Sequence, residues 1–395
     1  MKVLSIQRQI GSPPINSSGL ETFKYRLMYL LSYMSSSLIF MKWSIIFLGT
    51  MLLLSTLSVF GAAEQADYEE IPKPPAQPSS GPGGSDYACN QVIKSKHGSS
   101  GKQYWIYEPT DPTPESALLI VFLHGWSAMD PFSYETWIEH IVKRGNIVVY
   151  PKYQASLFTQ SKDFTPNAIA AVKSAIEELQ IGKHVKPELN NFAIVGHSMG
   201  GLMSANMAAL SAGLPEPKAI MCVEPGVTGA FELEDLSKIP ESTLLLCVTG
   251  DRDDVVGNMD AIRIFEESSR IAETNKDLVI VVSDDHGVPS LIADHYAPAA
   301  VGKDLSLWTM ITSLLRALTL KILKPIVGIP TTTKPHGEVN SLDYYAYWKL
   351  FDGLCDGAFY KTNREYALGN TPEQRFMGVW SDGVPVKELI VTDHP

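Results

Sequence analysis

The chain has 395 residues, 45% of them apolar and 19% charged, with a formal net charge of -11. This composition suits a globular protein with a sizeable core. The acidic balance excludes nucleic acid and an anionic membrane surface as main partners, and its four cysteines include no C-x-x-C or His-rich metal spacing.

Lys42 is followed by an uncharged, mostly apolar run from Trp43 to Phe60 and then by Gly61-Ala62-Ala63. A basic flank, an apolar stretch and small residues at a cut site make a secretory signal peptide. Met41 fits an ordinary start for it, which makes residues 1–63 leader plus signal peptide. An uncleaved anchor over residues 43–60 is the alternative, since roughly 18 residues approach the span of a bilayer. In both readings the basic side, with Lys24, Arg26 and Lys42, stays in the cytoplasm and the body crosses. The protein is therefore expected to be secreted, or else membrane-anchored by residues 43–60. Residues 64–86, rich in Pro, Gly and Ser, have little to bury and read as a flexible linker.

From Tyr87 the pattern becomes globular. Gln103–Tyr107 alternates polar and aromatic residues, as an outer strand does. Ala117–Leu123 is wholly apolar, reads as a strand buried on both faces, and ends in His124-Gly125-Trp126. The spacing predicts a helix over Tyr134–Lys143, a buried strand over Ile147–Tyr150, and an Ala-rich helix over Asn167–Leu179 opened by Thr165-Pro166. Phe192–Val195 is the next buried strand, running into Gly196-His197-Ser198-Met199-Gly200-Gly201. The residues after Met199 are small or apolar and suit a tightly packed helix. Strands follow at Ala219–Val223, Leu244–Val248 and Leu278–Val282, with a helix near Met259–Ser268 and a long closing helix over Leu305–Leu323. Strands alternate with helices, and each strand is apolar on both faces. The fold class is therefore α/β, a mostly parallel central sheet flanked by helices, with ligands expected at the carboxyl ends of the strands.

G-x-S-x-G between a buried strand and a helix points to a nucleophilic serine on a strained turn, its glycines making room for neighbouring chain. Ser198 is that serine. A hydroxyl needs a base to take its proton and a carboxylate to orient the base. In Gly250-Asp251-Arg252-Asp253-Asp254-Val255-Val256, Asp253 is the preferred acid, with Asp251 and Asp254 as alternatives. For the base, His286 lies just past the strand at Leu278 and is preferred; His295, in a His-aromatic-x-Pro run, is the alternative. The developing oxyanion needs two backbone donors, assigned to the N–H groups of Met199 and Trp126. No metal and no organic cofactor is required. Cys222 and Cys247 read as buried small hydrophobes, while Cys89 and Cys355 are a candidate disulfide in an exported protein.

On H-G-W at 124–126, G-H-S-M-G-G at 196–201, G-x-x-D-x-x-V at 250–256 and a late histidine, the chain resembles the α/β-hydrolase superfamily. Within it, the compact layout is similar to the dienelactone hydrolase, chlorophyllase and cutinase-like polyesterase group. The resemblance covers about residues 102–324 and implies the sheet topology, the triad and a carboxylic-ester substrate, small or polymeric. Peptidase or acyltransferase chemistry with the same triad, or a non-catalytic binding protein of this fold, are the alternatives. Pro225–Ser242 is short for a lid, which fits an open esterase site. The hydrolase domain is placed at residues 87–328. Residues 329–395 form an extension whose many aromatic residues suit packing on that domain, with a helix at Leu342–Leu354, a turn at Gly378–Gly383 and a strand at Val386–Val391.

Overall fold

The computed structural model describes residues 71–227, 231–302 and 337–392. The signal or anchor segment at 43–60 and the helix expected at Leu305–Leu323 lie outside the described residues.

Among the described residues nine strands make one sheet: β1 (Gln91–His97), β2 (Tyr104–Thr110), β3 (Ser116–Leu123), β4 (Ile147–Pro151), β5 (Lys186–His197), β6 (Pro217–Val223), β7 (Leu244–Gly250), β8 (Lys276–Val281) and β9 (Ile390–Thr392). Their order is β1-β2-β4-β3-β5-β6-β7-β8-β9. Strands β4, β3 and β5 through β8 are parallel, while β1 and β2 at one edge and β9 at the other run antiparallel to their neighbours. This is an α/β-hydrolase arrangement, with the apolar strands in the middle, where both faces are covered.

The side-chain alternation of β3 shows how the layers form. Ile120 and Phe122 point into one apolar cluster, and Leu119, Val121 and Leu123 into the other. Helices α2 (Phe164–Gln180), α3 (Met199–Leu210) and α4 (Met259–Glu267) cover the second face, and α1 (Glu135–Lys143) covers the first. Thr165 and Pro166 fall inside the first turn of α2, where a missing N–H costs nothing. The C-terminal extension joins α1. A π-helical turn, Asp343–Trp348, leads into α5 (Lys349–Phe359), and Tyr347, Leu350, Phe351 and Leu354 are fully buried in the cluster that holds Val195 and Met221. Full burial stabilises by about 2 kcal/mol for each such side chain, so this helix is a covering layer of the sheet.

Two expectations are corrected here. Residues 71–86 are not a free linker. The Lys73 N–H donates to Ser381 Oγ (2.9 Å), Ser341 Oγ donates to the Pro75 carbonyl (2.7 Å), and the Gly83 N–H donates to Asp352 Oδ2 (2.8 Å). The partners all belong to the extension, so a proline-rich stretch with no core of its own is ordered by chain far away in sequence. A Cβ on Gly83 would meet the Tyr344 carbonyl oxygen at 2.0 Å, which shows how closely the two segments pass. The second correction concerns cysteine. Cys89 and Cys355 are both buried and free; the Cys89 thiol donates to the Pro112 carbonyl instead, and Cys355 sits in the core on α5. Cys222 and Cys247, also free, are register neighbours on β6 and β7.

Candidate active site

β5 enters α3 through Ser198, whose backbone takes φ 58° and ψ −123°. For a residue with a Cβ this is a strained conformation, kept only where surrounding contacts impose it. Those contacts are visible. The Ser198 N–H donates to the Val223 carbonyl at 2.9 Å, and its own carbonyl accepts from Gly201 at 2.8 Å. A Cβ on Gly196 would lie 2.2 Å from the Gly200 oxygen, and one on Gly200 would lie 2.0 Å from the Leu123 oxygen. The two glycines of the motif are therefore required by close backbone approach, and the turn aims the hydroxyl over the carboxyl end of the sheet.

His295 Nε2 lies 2.9 Å from Ser198 Oγ, and His295 Nδ1 lies 2.8 Å from Asp253 Oδ2. An ionised carboxylate only accepts, so the proton sits on Nδ1 and leaves Nε2 to accept from the serine hydroxyl. Asp253 follows β7, and its other oxygen accepts from the N–H groups of Val255 (2.9 Å) and Val256 (3.0 Å). Burial pushes the Asp253 carboxyl up, but the His295 bond and these two donors outweigh it and hold the group below its ordinary value. Asp251 does not enter this chain of bonds; it accepts from Ser283 Oγ at 2.5 Å.

The preference for His286 is corrected by this geometry. His286 Nε2 bonds Asp382 Oδ2 at 2.7 Å in a half-exposed pair on the extension, and its ring lies against Trp380. Past β8 the chain makes an excursion. Asp284 and Leu291 pair as an antiparallel bridge, and the returning limb docks on β7, where the Arg252 N–H donates to the Ala293 carbonyl at 3.0 Å. His286 sits at the far end of that excursion and His295 at its return. Nothing in the local sequence announces the fold-back.

The loop after β3 passes beside Ser198: a Cβ on Gly125 would be 3.3 Å from Ser198 Cβ. Trp126 therefore stands next to the serine, and Met199 opens α3, where an N–H has no carbonyl four residues back. The Ser127 N–H is tied by Gln154 Oε1 at 2.8 Å.

Sequence reasoning missed Glu224. It follows β6 directly, with φ 44°, and is fully buried. Its Oε1 accepts from Tyr347 Oη of the extension at 3.0 Å, and its Oε2 lies 3.6 Å from His197 Nε2 and 3.8 Å from His295 Nδ1. Burial raises this carboxyl well above its ordinary range. A glutamate directly after the apolar run Ala219–Val223 was the available signal. His197, Glu224 and His295 bring ligand-type atoms within 4.8 Å of one another. The two nitrogens are already engaged, His197 Nε2 by the His295 carbonyl and His295 Nδ1 by Asp253, so this donor set does not fit a metal ion.

The sheet order, the strained serine turn and the serine–histidine–carboxylate line together fit an α/β-hydrolase fold. A family model described as Chlorophyllase matches residues 83–234. The chain has the α/β-hydrolase fold, and this part of it is similar to that family. The matched stretch of this α/β-hydrolase contains the loop at Gly125 and the turn at Ser198, and it ends before Asp253 and His295. Among curated proteins, none matches the sequence.

Proposed function

We propose that this α/β-hydrolase is a serine esterase that cleaves carboxylic esters through an acyl-enzyme. The single observation that carries the reading is the unbroken line Ser198 Oγ, His295 Nε2, His295 Nδ1, Asp253 Oδ2, with contacts of 2.9 and 2.8 Å. Ser198 Oγ attacks the ester carbonyl carbon while its proton passes to His295 Nε2. Asp253 holds the imidazole in the receptive tautomer and stabilises the imidazolium. The carbonyl oxygen, now negative, is met by the N–H groups of Trp126 and Met199. Collapse expels the alcohol, which takes the proton from His295. Water then repeats the sequence on the acyl-serine and frees the acid. The family match supports carboxylic-ester chemistry, and the short Pro225–Ser242 connection supports an open site.

The run from Lys42 to Ala63 supports export, by cleavage or with residues 43–60 retained as an anchor. N-terminal sequencing of the mature protein distinguishes the two.

A fluorophosphonate probe should label the wild-type protein and leave Ser198→Ala unlabelled. Labelling of both, or of neither, counts against the reading. Turnover of p-nitrophenyl esters of increasing acyl length then gives the acyl preference, and acyl-acceptor profiling separates an esterase from a peptidase or acyltransferase.

A further inference from the structure

We propose that Tyr134 and His197 are positioning residues that tie the oxyanion loop to the backbone of the base; this rests on the esterase reading above. Three hydrogen bonds make the tie. The Gly125 N–H donates to Tyr134 Oη (3.1 Å), Tyr134 Oη donates to His197 Nδ1 (2.7 Å), and His197 Nε2 donates to the His295 carbonyl (2.8 Å).

The direction of every proton is fixed. A carbonyl only accepts, so His197 Nε2 carries the hydrogen and Nδ1 is left as an acceptor. Tyr134 must then donate to Nδ1, and its oxygen keeps a lone pair for Gly125. Both side chains are buried, so each bond is made in a low-dielectric setting where a missing partner is costly. The arrangement needs a neutral imidazole. Burial supplies this by pulling the His197 pKa down to about 4. Glu224 Oε2, at 3.6 Å from Nε2, is beyond hydrogen-bonding range, and burial raises its carboxyl, which disfavours a negative charge beside the ring.

The three anchor points come from distant parts of the chain. Gly125 follows β3 and precedes Trp126, the assigned oxyanion donor. His197 is the residue before the nucleophile. The His295 carbonyl belongs to the base, at the return of the excursion past β8. Tyr134 stands just before α1 with its ring against Phe122, and so holds its hydroxyl on a rigid support. Gln154 secures the other side of the same loop through Ser127. Displacing an oxyanion donor or the base by about 1 Å costs up to about 100-fold in rate without changing what binds.

The test uses the full chain with p-nitrophenyl butyrate, kcat being normalised to fluorophosphonate-titrated sites so that only folded enzyme is counted. Tyr134→Phe and His197→Ala should each lower kcat by about 10- to 100-fold with KM changed less than about threefold. The double variant should be no slower than His197→Ala, because both break one chain of bonds. His197→Gln should recover most of the rate, since its amide can accept from Tyr134 and donate to the His295 carbonyl. A Tyr134→Phe enzyme within twofold of wild type, a Gln variant no better than Ala, or additive losses would each overturn the proposal. If His197→Ala fails to fold, Tyr134→Phe, which removes one oxygen atom, decides alone. A wild-type protein that neither turns over nor labels sinks the esterase reading itself, whereas an active wild type with an unaffected Tyr134→Phe sinks only the positioning pair.

Discussion

His295 reaches Ser198 with its Nε2 at 2.9 Å from the hydroxyl oxygen, while His286 spends its own Nε2 on Asp382 at the surface. Replacing His295 by Ala should reduce kcat by at least about 1,000-fold, as expected when a general base is removed from a triad. His286→Ala should stay within about threefold of wild type, because it gives up one half-exposed hydrogen bond to Asp382 away from Ser198. Steady-state turnover of a p-nitrophenyl ester by both variants checks this, and the opposite ranking would return the role of base to His286.

Asp253→Asn keeps the shape of the acid but removes its charge. The amide can present its N–H₂ to His295 and favour the wrong tautomer, with the proton on Nε2 facing the serine. The expected result is a fall in kcat of about 1,000- to 10,000-fold with KM little altered. Slow fluorophosphonate labelling with an unchanged thermal midpoint would accompany it. A loss confined to KM would argue that Asp253 contacts substrate instead.

Acid should weaken the fold through His197. Its pKa is lowered from 6.5 to about 4 in the native state by burial, so between those values the unfolded chain binds more protons. Stability therefore rises with pH across that window and is lost as pH falls from about 6.5 towards about 4, by roughly 3 kcal/mol at most. Asp253, held below its ordinary value, adds to the loss at the acid end with the same sign. Urea midpoints from pH 7 to pH 4 should show a steep decline for wild type and a shallower one for His197→Gln. Parallel declines would mean that His197 is not the titrating group.

Gly200→Ala should be among the most damaging single-methyl insertions in the chain. The new carbon would sit 2.0 Å from the Leu123 oxygen and 2.7 Å from the His124 oxygen. Both are backbone atoms, so no side chain can swing aside. A destabilisation of about 3 kcal/mol or more is expected, read as a large drop in thermal midpoint. A variant with a near-wild-type midpoint would show that β3 and α3 can separate at little cost.

Much of this was legible in the residues alone, for identifiable reasons. β3 and β5 through β8 each carry an unbroken apolar run, Ala117–Leu123 and Phe192–Val195 among them, that needs no context to be read. β1, Gln91–His97, went unseen because an edge strand facing solvent carries Lys94, Lys96 and other polar residues without penalty. The serine turn was readable because its glycine spacing between a buried strand and a helix is itself the signal. The base was not, because the excursion from Asp284 to His295 is folded by contacts to β7 and the extension. Glu224 and the strap at 71–86 escaped notice for a related reason: Tyr347 and Ser381, which receive them, lie far away in sequence.

The bond from Tyr347 to Glu224 sets an order of events during synthesis. Serine, acid and base have all left the ribosome before the helical layer bearing Tyr347 is translated. A nascent polypeptide halted after His295 would carry Ser198, Asp253 and His295 yet lack the Tyr347 hydroxyl that holds Glu224. The Glu224 side of the site is thus completed only when a later part of the message has been read.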